Sequence, residues 1–343
     1  MACSVVPERK MRMKHLVHHR YTLFALVTVL LLPVMLNSGS LAAEVLIFAL
    51  AALGCNLLLG YTGLMSFGQG IFFGLGSYAV GLLLLHLKTP LAVALLLSMV
   101  LGALVAAVVG WMAIRQRGVY FVMLTLAFAQ MFYFLAYTFA DITGGDNGLL
   151  NVPRPDLTVF GVTLIPTATP WQYYVFVAIV FLLIFATMQR IVDSVFGRTL
   201  QAIRQNETRA AAVGYDVKRF KLVAFMISGA VTGLAGALNA MLTGIAPLSS
   251  IEYHTSESIL IITVIGGTGN LFASVLGSAF YILAGDWLSG LWPRWLMLLG
   301  FLLIAISLYM QKGIWGLLER IFHRIRSAFP AADPAATKQE SNP

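Results

Sequence analysis

The sequence predicts an all-α fold: a polytopic transmembrane helix bundle with about eight full spans, a re-entrant or broken helix pair, and N- and C-termini in the cytoplasm. Three observations carry this prediction. First, 59% of the 343 residues are hydrophobic and only 10% are charged, with a mean hydropathy of +0.86. A soluble domain carries about 25% charged residues, so water is not the solvent this surface is built for. Second, apolar stretches near the ~20 residues that cross a bilayer recur along the chain. They are apolar at every position, not alternately, which excludes a β-barrel. Third, the Lys and Arg residues fall almost entirely on one side of the predicted spans.

The elements follow in order. Residues 1–20 form a basic cytoplasmic tail with Arg9, Lys10, Arg12, Lys14 and Arg20. The apolar run 21–36 is the first span or a cleaved signal segment. Further apolar stretches cover 42–59, 66–87, 91–114, 119–140, 171–188, 222–242, 259–284 and 295–310. Together they make a membrane domain over 21–311, followed by a basic, partly disordered cytoplasmic tail over 312–343.

With the N-terminus inside and the crossings alternating, 19 of the 22 Lys and Arg residues are cytoplasmic; only Lys88, Arg154 and Arg294 fall outside. This asymmetry is the positive-inside signature. It also explains the net charge of +8 without nucleic acid, because the basic residues flank apolar segments. Nine simple crossings would leave the basic C-terminal tail outside. The segment 259–284 carries Gly266-Gly-Thr-Gly-Asn270 near its middle. A glycine-rich break at membrane depth is tolerated where it is buried in protein or lines a cavity. A chain that turns back there restores the parity.

Several classes of function are disfavoured. Cys3 and Cys55 are too few for a disulfide framework. No Asp, Glu or His falls near the middle of a predicted span, where a charge costs about 2.5–3.5 kcal/mol and is kept for function. Ion-coupled carriers often keep such groups. A Gly-Lys pair, which a phosphate-binding loop needs, is missing, so any ATP is bound on another subunit. No cofactor is expected on this chain.

Polar residues within the apolar stretches are the candidates for function. Residues 61–78 carry Gly63, Gly68, Gly70, Gly74 and Gly76 together with Ser66 and Gln69. Gly70 with Gly74, and Gly229 with Gly233, are small-residue pairs that let helices approach closely. Ser66, Gln69, Thr125, Gln130 and Asn239 are candidates to line a substrate pathway. Outside, residues 141–170 are rich in Gly, Pro, Asp and Thr. There Thr143-Gly144-Gly145-Asp146 reads either as a surface turn or as a docking or gate element. Inside, residues 190–221 read as helical. Leu200, Ile203 and Ala211 fall at helical spacing with Arg204 alongside. Such a stripe fits a partner's groove or the lipid surface.

Five blocks in order carry a family resemblance: Gly60-Tyr-Thr-Gly-Leu-Met-Ser-Phe-Gly-Gln69, Arg117 to Gln130, Thr143-Gly-Gly-Asp-Asn-Gly-Leu149, Gly197 to Gly214, and Ile265-Gly-Gly-Thr-Gly-Asn-Leu271. On these the chain resembles the LivM-type permeases of branched-chain amino acid ABC importers over about residues 40 to 310. The resemblance implies a multi-pass protein of the bacterial inner membrane. It implies a second, LivH-like permease subunit, two cytoplasmic ATPase subunits that bind ATP, and a periplasmic substrate-binding protein. It makes 197–214 the coupling segment, with Gly197, Arg204, Glu207 and Gly214 as its marked residues. Glu207-Thr-Arg followed by three Ala stands where other ABC importers carry Glu-Ala-Ala. Family members carry branched-chain amino acids, urea, short amides or other amino acids. The alternatives are a carrier or facilitator that works without ATP, which would not need the 197–214 helix, and a membrane scaffold without transport.

Overall fold

The computed structural model describes residues 38–291 apart from 160, 161 and 168, with residues 28, 29, 32, 33, 36, 294, 297, 298, 300, 301, 304 and 313–316. The tails expected over 1–20 and 312–343, apart from 313–316, lie outside the described residues, as do most of the apolar runs 21–36 and 295–310.

Helix α1 (Gly39–Asn56) continues as a π-helical turn (Leu57–Thr62) that stops at Gly63, whose φ of 76° is left-handed. An irregular stretch leads to α2 (Gln69–Leu85), α3 (Leu91–Ala113) and α4 (Val119–Thr138). Helix α5 (Pro170–Asp193) opens on a capping box: the Gln172 amide N–H donates to Thr169 Oγ1, and the Thr169 N–H donates to Gln172 Oε1. These bonds satisfy backbone donors that no helical carbonyl reaches. Two short helices follow, α6 (Val195–Gln205) and α7 (Glu207–Ala212). Then come the long α8 (Val217–Thr243), α9 (Tyr253–Gly266) and α10 (Leu271–Leu291).

Among the described residues, six helices are long and apolar enough to cross a membrane, and Gln69–Leu85 is a shorter apolar helix. The membrane prediction holds at that level. The segment 259–284 is not one helix. It is broken at Gly267–Asn270, where Gly267 and Gly269 take φ of 119° and 95°. Among the described residues the predicted all-helical character has one exception, between α4 and α5: strands β1 (Leu157–Val159) and β2 (Val162–Ile165) pair antiparallel.

Helix α8 sits at the centre, packed against α1, α2 and α3, and α1 is also covered by α5, α9 and α10. Burial follows position: 83% of the apolar stretch of α1 is buried within the chain, against 17% for α4. Glycine makes the central contacts possible. A Cβ on Gly76 would lie 1.9 Å from the Gly233 carbonyl oxygen, and one on Gly236 would lie 1.8 Å from that of Phe73. The α2 and α8 backbones therefore touch, as small-residue interfaces in membranes allow. Ser77 Oγ donates across this contact to the Gly236 carbonyl at 2.8 Å. Gly102 of α3 meets Gly229 of α8 in the same way. The expected role of the glycine pairs in close packing is met at Gly229 and Gly233. Gly70 and Gly74 instead pack against Ile251 and Glu252 ahead of α9.

Candidate functional site

Several of the buried polar side chains gather at two places where helices are interrupted. The first such junction surrounds the chain entering α2. Ser66 Oγ accepts from the Gly68 N–H at 3.1 Å, and the Phe67 N–H donates to Thr125 Oγ1 of α4 at 3.2 Å. Gln69 uses both ends of its amide on α8: Nε2 donates to Ser228 Oγ at 3.2 Å, and Thr232 Oγ1 donates to Oε1 at 2.8 Å. The next amide, Gly70 N–H, donates to Ser256 Oγ of α9 at 2.7 Å. All six side chains are buried. An unwound segment leaves backbone N–H groups without helical partners, and lipid offers none. Hydroxyls from α4 and α9, with Ser66 of the segment itself, supply them, and α8 supplies partners for the Gln69 side chain.

Ser66, Gln69 and Thr125, expected to line a pathway, thus come together. In this conformation Ser66 and Thr125 are engaged by backbone N–H groups of the unwound segment, and Gln69 by Ser228 and Thr232. Gln130 and Asn239 are half-buried and do not join this cluster. Gln130 is about 7.5 Å further along α4 than Thr125, and Asn239 about 16 Å along α8 from Ser228, at 1.5 Å per residue.

The second junction joins the π-helical turn to the break between α9 and α10. Asn56 holds it. Its Nδ2 donates to the Asn270 carbonyl at 2.8 Å and to Ser274 Oγ at 3.1 Å, while its Oδ1 accepts from the Gly269 N–H at 3.0 Å. Gly60 permits the approach, because a Cβ there would lie 2.1 Å from Asn56 Oδ1 and 2.6 Å from the Gly269 nitrogen. A π-turn shifts the carbonyl pattern of a helix and is frequent at functional sites. Here the Gly60 carbonyl accepts from the Arg204 guanidinium at the end of α6. The connector is thereby tied through one side chain to the π-helical turn, which Asn56 joins to the break before α10.

Within the connector, the helical expectation over 190–221 is met by two short helices, not one. The chain is extended at Asn206, with φ of −161°, and Asn206 Oδ1 caps α7. The predicted apolar stripe is corrected accordingly: Leu200 and Ile203 are buried within the chain itself, and Ala211 lies on the second helix. Leu200 and Ile203 are not offered to a partner, while Ala211 stays exposed. Gly197 lets α6 fold back tightly, since a Cβ there would lie 2.1 Å from the Val192 carbonyl oxygen. Glu207 receives the Lys221 ammonium, which is buried, and lies 3.9 Å from Arg117. Gly214 takes φ of 99° just beyond α7.

At the opposite end, Thr143 Oγ1 donates to the Ala136 carbonyl at 2.6 Å and accepts from the Gly145 N–H at 3.2 Å. Gly144 and Gly145 both take left-handed φ, and Asp146 stays exposed. The following residues are stitched to the turn after α8: Leu149 and Ala246 exchange backbone hydrogen bonds, and the Val152 N–H donates to Gly244. Arg154 donates to the Met241 and Leu242 carbonyls and lies over the Tyr173 ring at 5.4 Å. The segment over 143–154 is therefore part of the bundle's end.

Residues 37–307 match the family described as branched-chain amino acid transport system / permease component. The chain belongs to this family. It is 27% identical to the high-affinity branched-chain amino acid transport system permease protein LivM of Salmonella typhimurium, over 82% of this chain and 71% of that protein. The LivM of Escherichia coli gives the same identity and coverage. The probable LivM of Methanocaldococcus jannaschii is 23% identical over 78% of this chain and 90% of its own length. No solved structure matches significantly.

In this permease the structure adds residues that the sequence reading did not single out. Asn56, Ser228, Thr232 and Ser256 complete the two junctions. Ser228 and Thr232 stand four apart within the apolar stretch 222–238 of α8, the spacing that puts two hydroxyls on one face. Asn56 is the only amide in the apolar stretch 42–59. Both signals are present in the sequence. Lys221 gave no such signal: its burial comes from its pairing with Glu207.

Proposed function

We propose that this chain is a membrane permease subunit of a binding-protein-dependent ABC importer of the bacterial inner membrane. It translocates branched-chain amino acids, or a related small polar solute, using ATP hydrolysed by partner subunits. The observation that carries the reading is the family match over residues 37–307. In this reading the chain crosses about eight times with a broken helix pair, and both termini face the cytoplasm. It works with a second, LivH-like permease, two cytoplasmic ATPases and a periplasmic binding protein.

The loaded binding protein docks on the outer end, at Thr143, Gly144, Gly145 and Asp146 and the adjoining turn after α8. Closure of the ATPases acts on the connector at Gly197, Arg204, Glu207 and Gly214. The Arg204 bond to the Gly60 carbonyl passes that movement to the two interrupted helices. Ser66, Gln69 and Thr125 then exchange their present hydrogen bonds for bonds to the solute, with Gln130 and Asn239 further along the route. A zwitterionic, apolar solute needs few charges along such a path, in keeping with the neutral side chains of the first junction.

The test is uptake of labelled leucine into proteoliposomes holding this chain with its partner permease and ATPases. Uptake that requires both ATP and the binding protein, and that isoleucine and valine inhibit, is expected. Uptake by this chain alone without nucleotide would turn the reading toward an ATP-independent carrier. Inhibition by urea or short amides, and not by valine, would reassign the solute.

A further inference from the structure

A cavity of about 550 Å³ opens between the end of α3 and the start of α8. Its lower wall is apolar, with Trp111, Ile114 and Leu222, and its rim is basic, with Arg115, Lys218 and Arg219. The Arg115 guanidinium is stacked over the Trp111 ring at 4.3 Å, a cation–π contact that holds it at the mouth. Gly110 at the floor admits Phe225 and Leu222 of α8 closely. One acidic group faces the cavity. Asp216 caps α8 by accepting from the Arg219 N–H, and its carboxylate lies 2.9 Å from Arg219 Nε. Three cations against one carboxylate leave a net charge of +2 at the rim. The neighbouring acid, Glu207, is occupied by Lys221 and Arg117.

We infer that this cavity binds the headgroup of an anionic phospholipid, with an acyl chain lying along α3. The basic rim sits at the end of two membrane helices, where headgroups lie. Below it, Leu104, Val108, Trp111 and Met112 are exposed along one face of α3, an apolar track that begins at the cavity. A soluble partner would cover the rim and leave the track bare; a phospholipid covers both. Lys218 and Arg219 also stand in the first turn of α8, where the helix dipole disfavours cations. An anion beside them relieves that conflict. Clustered basic residues next to spanning helices attract acidic lipids, each worth about 1 kcal/mol near the surface. The inference needs only that the chain lies in a bilayer, so it stands apart from the transport reading.

The test is native mass spectrometry of the detergent-purified full chain with phosphatidylglycerol and phosphatidylcholine of matched acyl chains. Wild type is expected to retain phosphatidylglycerol preferentially. Substitution of Arg115, Lys218 and Arg219 together by Gln is expected to lower that retention tenfold or more and to leave phosphatidylcholine unchanged. Asp216→Asn keeps a capping side chain and removes the opposing charge, so it is expected to raise retention about threefold. This variant carries the test if the triple variant does not fold. Equal retention of the two lipids, or phosphatidylglycerol retention unmoved by these changes, overturns the inference. Displacement by an equal concentration of inorganic phosphate assigns the rim to a free anion and overturns it too.

Discussion

Replacing Gly76 by Ala tests whether the centre of the bundle is held by touching backbones. The new Cβ would lie 1.9 Å from the Gly233 carbonyl oxygen, 2.6 Å from its carbon and 2.8 Å from the Gly233 Cα. A comfortable C···O separation is about 3.3 Å, so α2 and α8 must part by about 1.4 Å. All three obstructing atoms are backbone, so no side chain can swing away. The Ser77 Oγ bond to the Gly236 carbonyl, 2.8 Å long, would stretch to about 4 Å, beyond hydrogen-bond reach. Overpacking of this kind costs about 1–3 kcal/mol, and a lost interhelical hydrogen bond in a membrane adds about 0.6 kcal/mol. Better helix propensity returns up to about 1 kcal/mol. The net loss is about 1–3 kcal/mol, read by unfolding in mixed detergent and SDS micelles with far-UV circular dichroism. Gly290→Ala is the control, because nothing lies within 4 Å of that position. If the two variants unfold at the same SDS fraction, the backbone contact is not what holds α2 to α8.

Asn56→Leu removes three hydrogen bonds to the break before α10; at about 0.6 kcal/mol each the loss is about 2 kcal/mol, measured in the same unfolding assay. Hydrogen exchange over 266–274 should also rise, and unaltered exchange there would contradict the role given to Asn56. Glu207→Gln leaves the Lys221 ammonium buried without its carboxylate. Glu207 is itself one-third exposed, so the expected loss falls below the 3–5 kcal/mol of a fully buried pair, at about 1–3 kcal/mol. Adding Lys221→Met should recover most of it, and a double variant no better than the single would argue against the pairing. Arg204→Gln should leave ATP hydrolysis by the assembled importer in place while uptake falls severalfold, seen as a lower ratio of solute moved to ATP consumed. Gly214→Val forces a branched side chain into φ of 99°, a cost of about 1–3 kcal/mol. It should lower that same ratio, and normal uptake would remove Gly214 from the coupling role.

The spanning segments were legible because lipid imposes a simple rule, a long run of apolar residues. The break at 266–270 was legible because three glycines in five residues disfavour a continuous helix. Gln69 was legible as a buried amide in need of partners, and its partners proved to be hydroxyls 159 and 163 positions away. Asn56 was missed for the complementary reason. A lone amide in an apolar run announces itself only when its partners are known, and those lie 213 to 218 positions on. The connector stripe was misplaced because helical spacing tells which residues share a face and not which surface that face meets. Asn206, a good capping residue, marked the split between α6 and α7, yet the Ala-rich run after it reads as continuous helix. The hairpin over 157–165 rests on short strands whose pairing is local, and the surrounding Gly and Pro pattern concealed it.

Helix α1 ends enclosed by α5, α8, α9 and α10, every one of which is synthesised after it. An apolar helix is stable in lipid by itself, before any neighbour arrives. During biosynthesis α1 must therefore wait in the bilayer with its whole circumference wetted by acyl chains. Its covering is completed only when the ribosome has made residue 271 and beyond. A chain truncated before residue 269 would leave Asn56 without the three partners that hold it in the finished fold.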